Sequence, residues 1–340
     1  MDTFEIISKL SPAFGVSGEE RQAADAALEL LSPYGEGAFD KKTGNTVFWR
    51  CGREADGSKK TVLLDAHIDE IGFIVTYITD DGFLKVAPVG GIDRRMLLAS
   101  EVTVFGKECV RGVITSTPPH LEKDNKQLPE VSDIYIDIGM TAEEAKKVIT
   151  LGDKVSVVNA PVKLLGDRIS GKALDDRCGV AALIKTLELL KGESLDVNVV
   201  LLLSSKEEIG EMGAKTGAFD IKPDIAIAVD VSFAYTQGED REECGELEKG
   251  PMIGISPSLS RELSHSLIEC AEKNGIPYQL EIMNGRTGTN ADEMTVSRGG
   301  VRTVTVSIPQ RYMHTPAEVI DTKDIDNTAR LLACFIGGLK

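Results

Sequence analysis

Four stretches of the chain are nearly continuous apolar runs that end on polar residues: TVLLDAHID at 61–69, VNVVLLLSSKEEIG at 197–210, DIAIAVDVS at 224–232 and RTVTVSIPQRYMHTP at 302–316. Short β-branched runs without strict alternation are the mark of strands covered on both faces of a sheet. Helical spacing surrounds them. QAADAALELLSPYG lies near the start, GVAALIKTLELLKG carries Val180, Leu183, Ile184, Leu187 and Leu190 on one face, and DIDNTARLLACFIGGLK closes the chain. SLSRELSHSLIECAEKNG is a further amphipathic helix that stops at Gly275. Strand alternating with helix predicts an α/β fold around a mixed, mostly parallel sheet with helices on both faces.

From about 71 to 162 the texture changes. Short alternating runs (GFIVTYI, GFLKVAPV, SEVTVFG, CVRGVITST, DIYIDIG) are separated by Asp-Gly and Gly-Gly turn signals, with one clear helix at TAEEAKKVI. This block reads as a small β-barrel or sandwich inserted into the α/β pattern, which resumes at GKALDDRCGVAALIKTLELL. The expected organisation is one domain over 1–70 and 163–340 and an inserted β-rich domain over 71–162.

Composition narrows the partners. The 340 residues carry 38 basic and 54 acidic side chains, a formal net charge of −16. No basic run is dense enough for phosphate backbones, so nucleic acid is excluded as a partner. The first 20 residues mix acids among their apolar positions and do not resemble a secretory signal, and no run reaches membrane-spanning length. The six cysteines, at 51, 109, 178, 244, 270 and 334, never approach a Cys-x-x-Cys spacing and read as buried thiols. A reducing, cytoplasmic location without disulfides is expected.

The chemistry is sought at the carboxyl ends of the strands, where open α/β sheets bind ligands. His67 and Asp69 end the first run, Glu207 and Glu208 the second, Asp230 the third and His314 the fourth. Asp175 and Asp176 precede a helix, a position that favours carboxylates either as caps or as site residues. The other two histidines are unremarkable: His120 lies in a proline-rich loop and His265 faces away from the apolar stripe of its helix. Two histidines with several carboxylates and no cysteine suit a pair of divalent ions, zinc or cobalt first and manganese as a third choice. Such a pair activates water and polarises a carbonyl or phosphoryl oxygen. Of two adjacent glutamates, one can ligate while the other moves a proton. Asp69, two residues after His67, is placed to hold the imidazole's other nitrogen.

Taken in order, AHIDEIGF, KALDDRCG, SKEEIGEMGA, AVDVS and RYMHTPAEV resemble the tetrahedral (TET) aminopeptidases, a family that includes glutamyl aminopeptidases and endoglucanase-M-like homologues. The resemblance spans essentially the whole chain. It implies a zinc-peptidase-like fold and two divalent ions, one held by His67, Asp175 and Asp230, the other by Asp175, Glu208 and His314. It implies Glu207 as general base and Asp69 as the residue orienting His67. The implied reaction removes the first residue from peptides with a free N-terminus, and the implied assembly is a homo-oligomer of dimers, up to a tetrahedral dodecamer, joined through the inserted domain.

Two departures stand out. Gly285-Arg286-Thr287 and Thr289-Asn290-Ala291 replace the family's common Gly-Gly-Thr and Thr-Asp-Ala, and Glu211-Met212 stands where a Leu-Arg pair is common. Neither touches an implied ligand, so the expected consequence is an altered pocket for the substrate's first side chain, with Arg286 favouring an acidic residue. Three rival functions compete: a dinuclear amidase or deacylase on a non-peptide amide, a β-glucan hydrolase acting through two carboxylates, and a non-catalytic assembly subunit.

Overall fold

The computed structural model describes residues 1–50, 59–116 and 128–339. The loop holding His120 and the position of Cys51 lie outside the described residues. In chain order the strands are β1 (Glu36–Phe39), β2 (Thr46–Trp49), β3 (Thr61–His67), β4 (Gly72–Ile78), β5 (Leu84–Val89), β6 (Glu101–Phe105), β7 (Cys109–Thr115), β8 (Tyr135–Asp137) and β9 (Lys154–Val157). They continue with β10 (Val162–Lys163), β11 (Arg168–Gly171), β12 (Asn198–Ser204), β13 (Ile225–Phe233), β14 (Met252–Ile255), β15 (Gln279–Ile282), β16 (Arg302–Gln310) and β17 (Glu318–Asp321).

Eight of these form one sheet in the order β1-β2-β12-β3-β13-β16-β14-β15. Its centre, β12, β3, β13 and β16, is parallel throughout, and these are the four apolar runs of the sequence. Alternation divides each strand between two cores. Val62, Leu64 and Ala66, with Val199, Leu201 and Leu203 and with Ile225, Ile227 and Val229, pack beneath the helices Arg21–Leu31, Leu174–Leu189 and Thr322–Gly338. Leu63, Val200, Leu202, Ala226 and Ala228 face the shorter helices Met212–Ile221 and Ala291–Thr295. Because the side-chain period is two, this second face also receives Asp65, His67, Ser204 and Asp230. The sheet therefore has one largely apolar face and one that turns polar toward its carboxyl ends.

Between β3 and β10 the chain closes a six-stranded antiparallel barrel, β4-β5-β8-β7-β6-β9, with β9 pairing back onto β4. Phe73, Leu84, Val102, Val104, Ile136 and Val155 fill its interior. The helix Ala142–Val148 begins with a reciprocal capping box between Thr141 and Glu144. Glu70, the residue where β3 leads into the barrel, is buried and accepts from the Gly15 amide, from Ser156 Oγ on β9 and from Lys172 Nζ. One carboxylate thus ties the barrel to two segments of the α/β layer. Among the described residues Cys109, Cys178, Cys244, Cys270 and Cys334 are free thiols, but only Cys178 is buried as expected, Cys244 and Cys270 being half-buried and Cys109 and Cys334 exposed; among the same residues no helix is long and apolar enough to cross a membrane.

Candidate active site

The four central strands deliver their end residues to one place. His67, the last residue of β3, is buried, with Nε2 2.9 Å from Asp175 Oδ1 and 3.9 Å from Asp230 Oδ1. Asp230 sits within β13 rather than beyond it, its strand running on to Phe233. His314 follows β16, with Nε2 3.4 Å from both Asp175 Oδ2 and Glu208 Oε2. Two groups of donors result, His67–Asp175–Asp230 and Asp175–Glu208–His314, each with ligand atoms within 4.8 Å of one another and with Asp175 common to both.

The acidic pairs divide. Asp176 points its carboxylate at the helix and accepts from the Gly179 amide at 2.9 Å, a capping contact, whereas Asp175 reaches the histidines. Regular helix starts only at Arg177, since Asp175 and Asp176 have non-helical dihedrals. Glu208 enters a donor group while Glu207 borders the same cleft and belongs to neither. Asp69 explains how both glutamates are held: its carboxylate accepts from the amides of Glu207 and Glu208 at 3.0 and 3.3 Å and from Ser17 Oγ at 2.6 Å. His67 Nδ1 lies 3.2 Å from the Asp69 carbonyl oxygen and 3.5 Å from its carboxylate, so the main-chain oxygen is the nearer partner.

Electrostatics describe a site that calls for cations. Burial pushes Glu208 and Asp230 well above the usual carboxylate range, with the neighbouring acids Asp175 and Asp176 respectively adding to it. Burial likewise lifts Glu207 to about 7, against the pull of His67. Burial would depress His67, but Asp175 and Asp69 outweigh it and hold the imidazole well above its ordinary value. Among the described residues no lysine or arginine pairs with Asp175, Glu207, Glu208 or Asp230. Concentrated buried carboxylates joined by two imidazoles are the donor set of borderline divalent metals, and the residues fit such ions.

Three contributors were not singled out from the sequence. Glu318 accepts from the amides of Leu174, Asp175 and His314, fixing two segments that meet at Asp175. Ser17 reaches Asp69 from the amino-terminal region. Gly91, in the loop after β5, abuts His314, and a Cβ there would come within 2.9 Å of Nδ1. The barrel therefore shapes the site.

Arg286 does lie on the cleft, a cavity of about 700 Å³ shared with the proposed ligands. Asn290 does not: it is buried behind the site, with Nδ2 donating to Asp65 Oδ2 at 2.7 Å and Ser204 Oγ at 2.8 Å.

A fold of this kind, with histidines and carboxylates at the carboxyl ends of a mostly parallel sheet, defines a class of metal-dependent hydrolases. Residues 44–331 match the family model for M42 glutamyl aminopeptidases, and the chain belongs to that family, whose members are metal-dependent aminopeptidases acting on peptides. The lysyl aminopeptidase of Pyrococcus furiosus is 33% identical, with 100% of this chain and 98% of the relative covered. An aminopeptidase of Desulfurococcus kamchatkensis superposes with a TM-score of 0.91 at 36% identity, covering 99% of this chain and 95% of that one. The Pyrococcus horikoshii TET1 peptidase superposes at 0.86 with 31% identity, covering 99% and 100%.

Asn290→Asp should destabilise the protein by about 3 kcal/mol, because it sets a second carboxylate against buried Asp65 and removes a donor. Chemical denaturation at neutral pH checks this, and an unchanged midpoint contradicts it.

Proposed function

We propose that the chain removes N-terminal residues from peptides using two divalent cations and Glu207 as general base. The observation that carries this reading is the shared carboxylate: Asp175 belongs to both donor groups, and Glu207 stands beside them uncommitted. His67, Asp175 and Asp230 would hold one ion, and Asp175, Glu208 and His314 the other, with zinc or cobalt suited to the imidazoles and manganese to the carboxylates. When bound, the ions supply Lewis acidity at the scissile carbonyl and lower the pKa of water. Glu207 takes a proton from the attacking water as its oxygen adds to the carbonyl carbon, then delivers that proton to the departing amine nitrogen. Asp69, by holding both glutamate amides, keeps base and ligand in fixed relation.

The reading extends to assembly. The TET1 peptidase of Pyrococcus horikoshii assembles into a tetrahedron or a large octahedral shell. We propose that this chain, too, forms homo-oligomers built on dimers through the barrel region of the expected inserted domain at 71–162. Closure of the barrel removes the free strand edges that an open sheet would offer. Exposed apolar side chains there, Met96, Leu98 and Leu151 among them, are the surface available for contact. Light scattering at micromolar protein should give a mass of at least a dimer; a monomer contradicts the proposal.

Glu208→Gln should weaken one ion site, because a neutral amide is a poorer ligand than a carboxylate. Glu207→Gln should keep both ions and lose on the order of 10² to 10⁴ in turnover. Elemental analysis beside hydrolysis of leucyl and N-acetyl-leucyl substrates checks this. Parental turnover in Glu207→Gln, or loss of metal from that variant alone, refutes the assignment of base and ligand. Equal hydrolysis of the N-acetylated substrate refutes the requirement for a free amine.

A further inference from the structure

The cleft holds carboxylates that belong to neither donor group, and one of them is built into its wall. Glu281, on β15, is half-buried in the cleft wall, where Ser232 Oγ donates to its Oε1 and Ser307 Oγ donates to its Oε2 at 2.6 Å. Both donors are neutral. Among the described residues no lysine, arginine or histidine pairs with Glu281, and burial pushes its carboxyl up against the pull of the two hydroxyls.

Its position relative to the chemistry follows from register. Ser307 stands opposite Asp230 on the adjoining parallel strands β16 and β13, which places the two about 5 Å apart across the sheet. Ser232 is two residues past Asp230 and so on the same face. Glu281 therefore fixes a negative charge beside the centre, within reach of a side chain extending from a substrate held there.

The cleft contains a competing cation, Arg286, but the two groups differ in setting. Arg286 is exposed on its loop, and its field already acts on the chain's own Glu211. Outside the proposed ligands and base, the cleft is lined by three carboxylates, Glu242, Glu243 and Glu281, against that single guanidinium. A carboxylate removed from water without a cation costs free energy that an amide of the same shape would avoid, and an incoming ammonium or guanidinium offsets that cost.

We infer that Glu281 forms the end of the pocket for the substrate's first side chain and selects a basic residue, lysine or arginine, over neutral and acidic ones. The inference rests on the aminopeptidase reading, and it reverses the preference expected from Arg286 in the sequence.

The test uses metal-loaded full-length protein and aminoacyl-coumarin substrates bearing lysine, arginine, norleucine, leucine or glutamate, beside calorimetric binding of lysine amide and leucine amide. The parent should cleave the lysyl and arginyl substrates fastest. Glu281→Gln should lower the lysyl-to-norleucyl ratio of kcat/KM by on the order of ten- to a hundredfold, the worth of one charge-assisted hydrogen bond. A parent that prefers the glutamyl substrate overturns the inference in favour of Arg286. A uniform loss on all substrates in Glu281→Gln overturns it too, because the group then holds the α-amine or the fold. Selective binding of lysine amide without turnover of any substrate sinks the peptidase reading and leaves the Glu281 assignment standing; no turnover and no selectivity sink both.

Discussion

The structure depends on crowding carboxylates into a buried space at the carboxyl edge of a parallel sheet. Asp175, Glu208 and Asp230 converge on two imidazoles, with Asp65, Asp69 and Asp176 buried close by in sequence or space. Left to themselves these charges repel and are starved of solvent, as the raised carboxyls of Asp230 and Glu208 record. What tolerates the crowding is a frame of neutral donors, the amides of Glu207 and Glu208 on Asp69, the Gly179 amide on Asp176, and the Asn290 amide and Ser204 hydroxyl on Asp65, while the Glu318 carboxylate accepts from the main chain at Asp175 and His314 and pins it. The frame leaves the donor atoms of Asp175, Asp230 and Glu208 turned inward, toward the place where cations would sit.

The same frame accounts for the relation between the two layers. The sheet supplies His67, Asp230 and the strand end before Glu207, all on its polar face. The barrel supplies the close approach of Gly91 to His314 and, through Glu70 and Ser156, the anchor that holds the barrel against the site. Removing the barrel would uncover one wall of the centre, which gives the inserted block a part in site geometry as well as the proposed part in association.

Much of this was legible in the sequence, for identifiable reasons. Continuous apolar runs become the four central parallel strands because only doubly covered strands tolerate such composition, and the gathering of histidines and carboxylates at strand ends follows from sheet topology. The choice between barrel and sandwich stayed open because alternating runs are common to both; only the pairing of β9 with β4 closes the ring. Ser17 was silent because its partner Asp69 lies far along the chain, and Gly91 and Glu318, though they fall within a turn signal and a quoted motif, show their contacts with His314 and with the main chain at Leu174 only once the chain is folded. Asp175 and Asp176 could not be told apart by type, since capping and ligation want the same carboxylate; the backbone at the helix start separates them. Asn290 was noticed as unusual but assigned to the pocket, whereas its partner Asp65, 225 positions away, draws it behind the site.

Asp175 belongs to both donor groups and is proposed to join two cation sites. Anomalous diffraction from crystals grown with zinc, collected on both sides of the zinc edge, tests it directly. Two peaks per chain are expected, one bounded by His67, Asp175 and Asp230 and the other by Asp175, Glu208 and His314. A single peak, or a pair that Asp175 does not join, contradicts it.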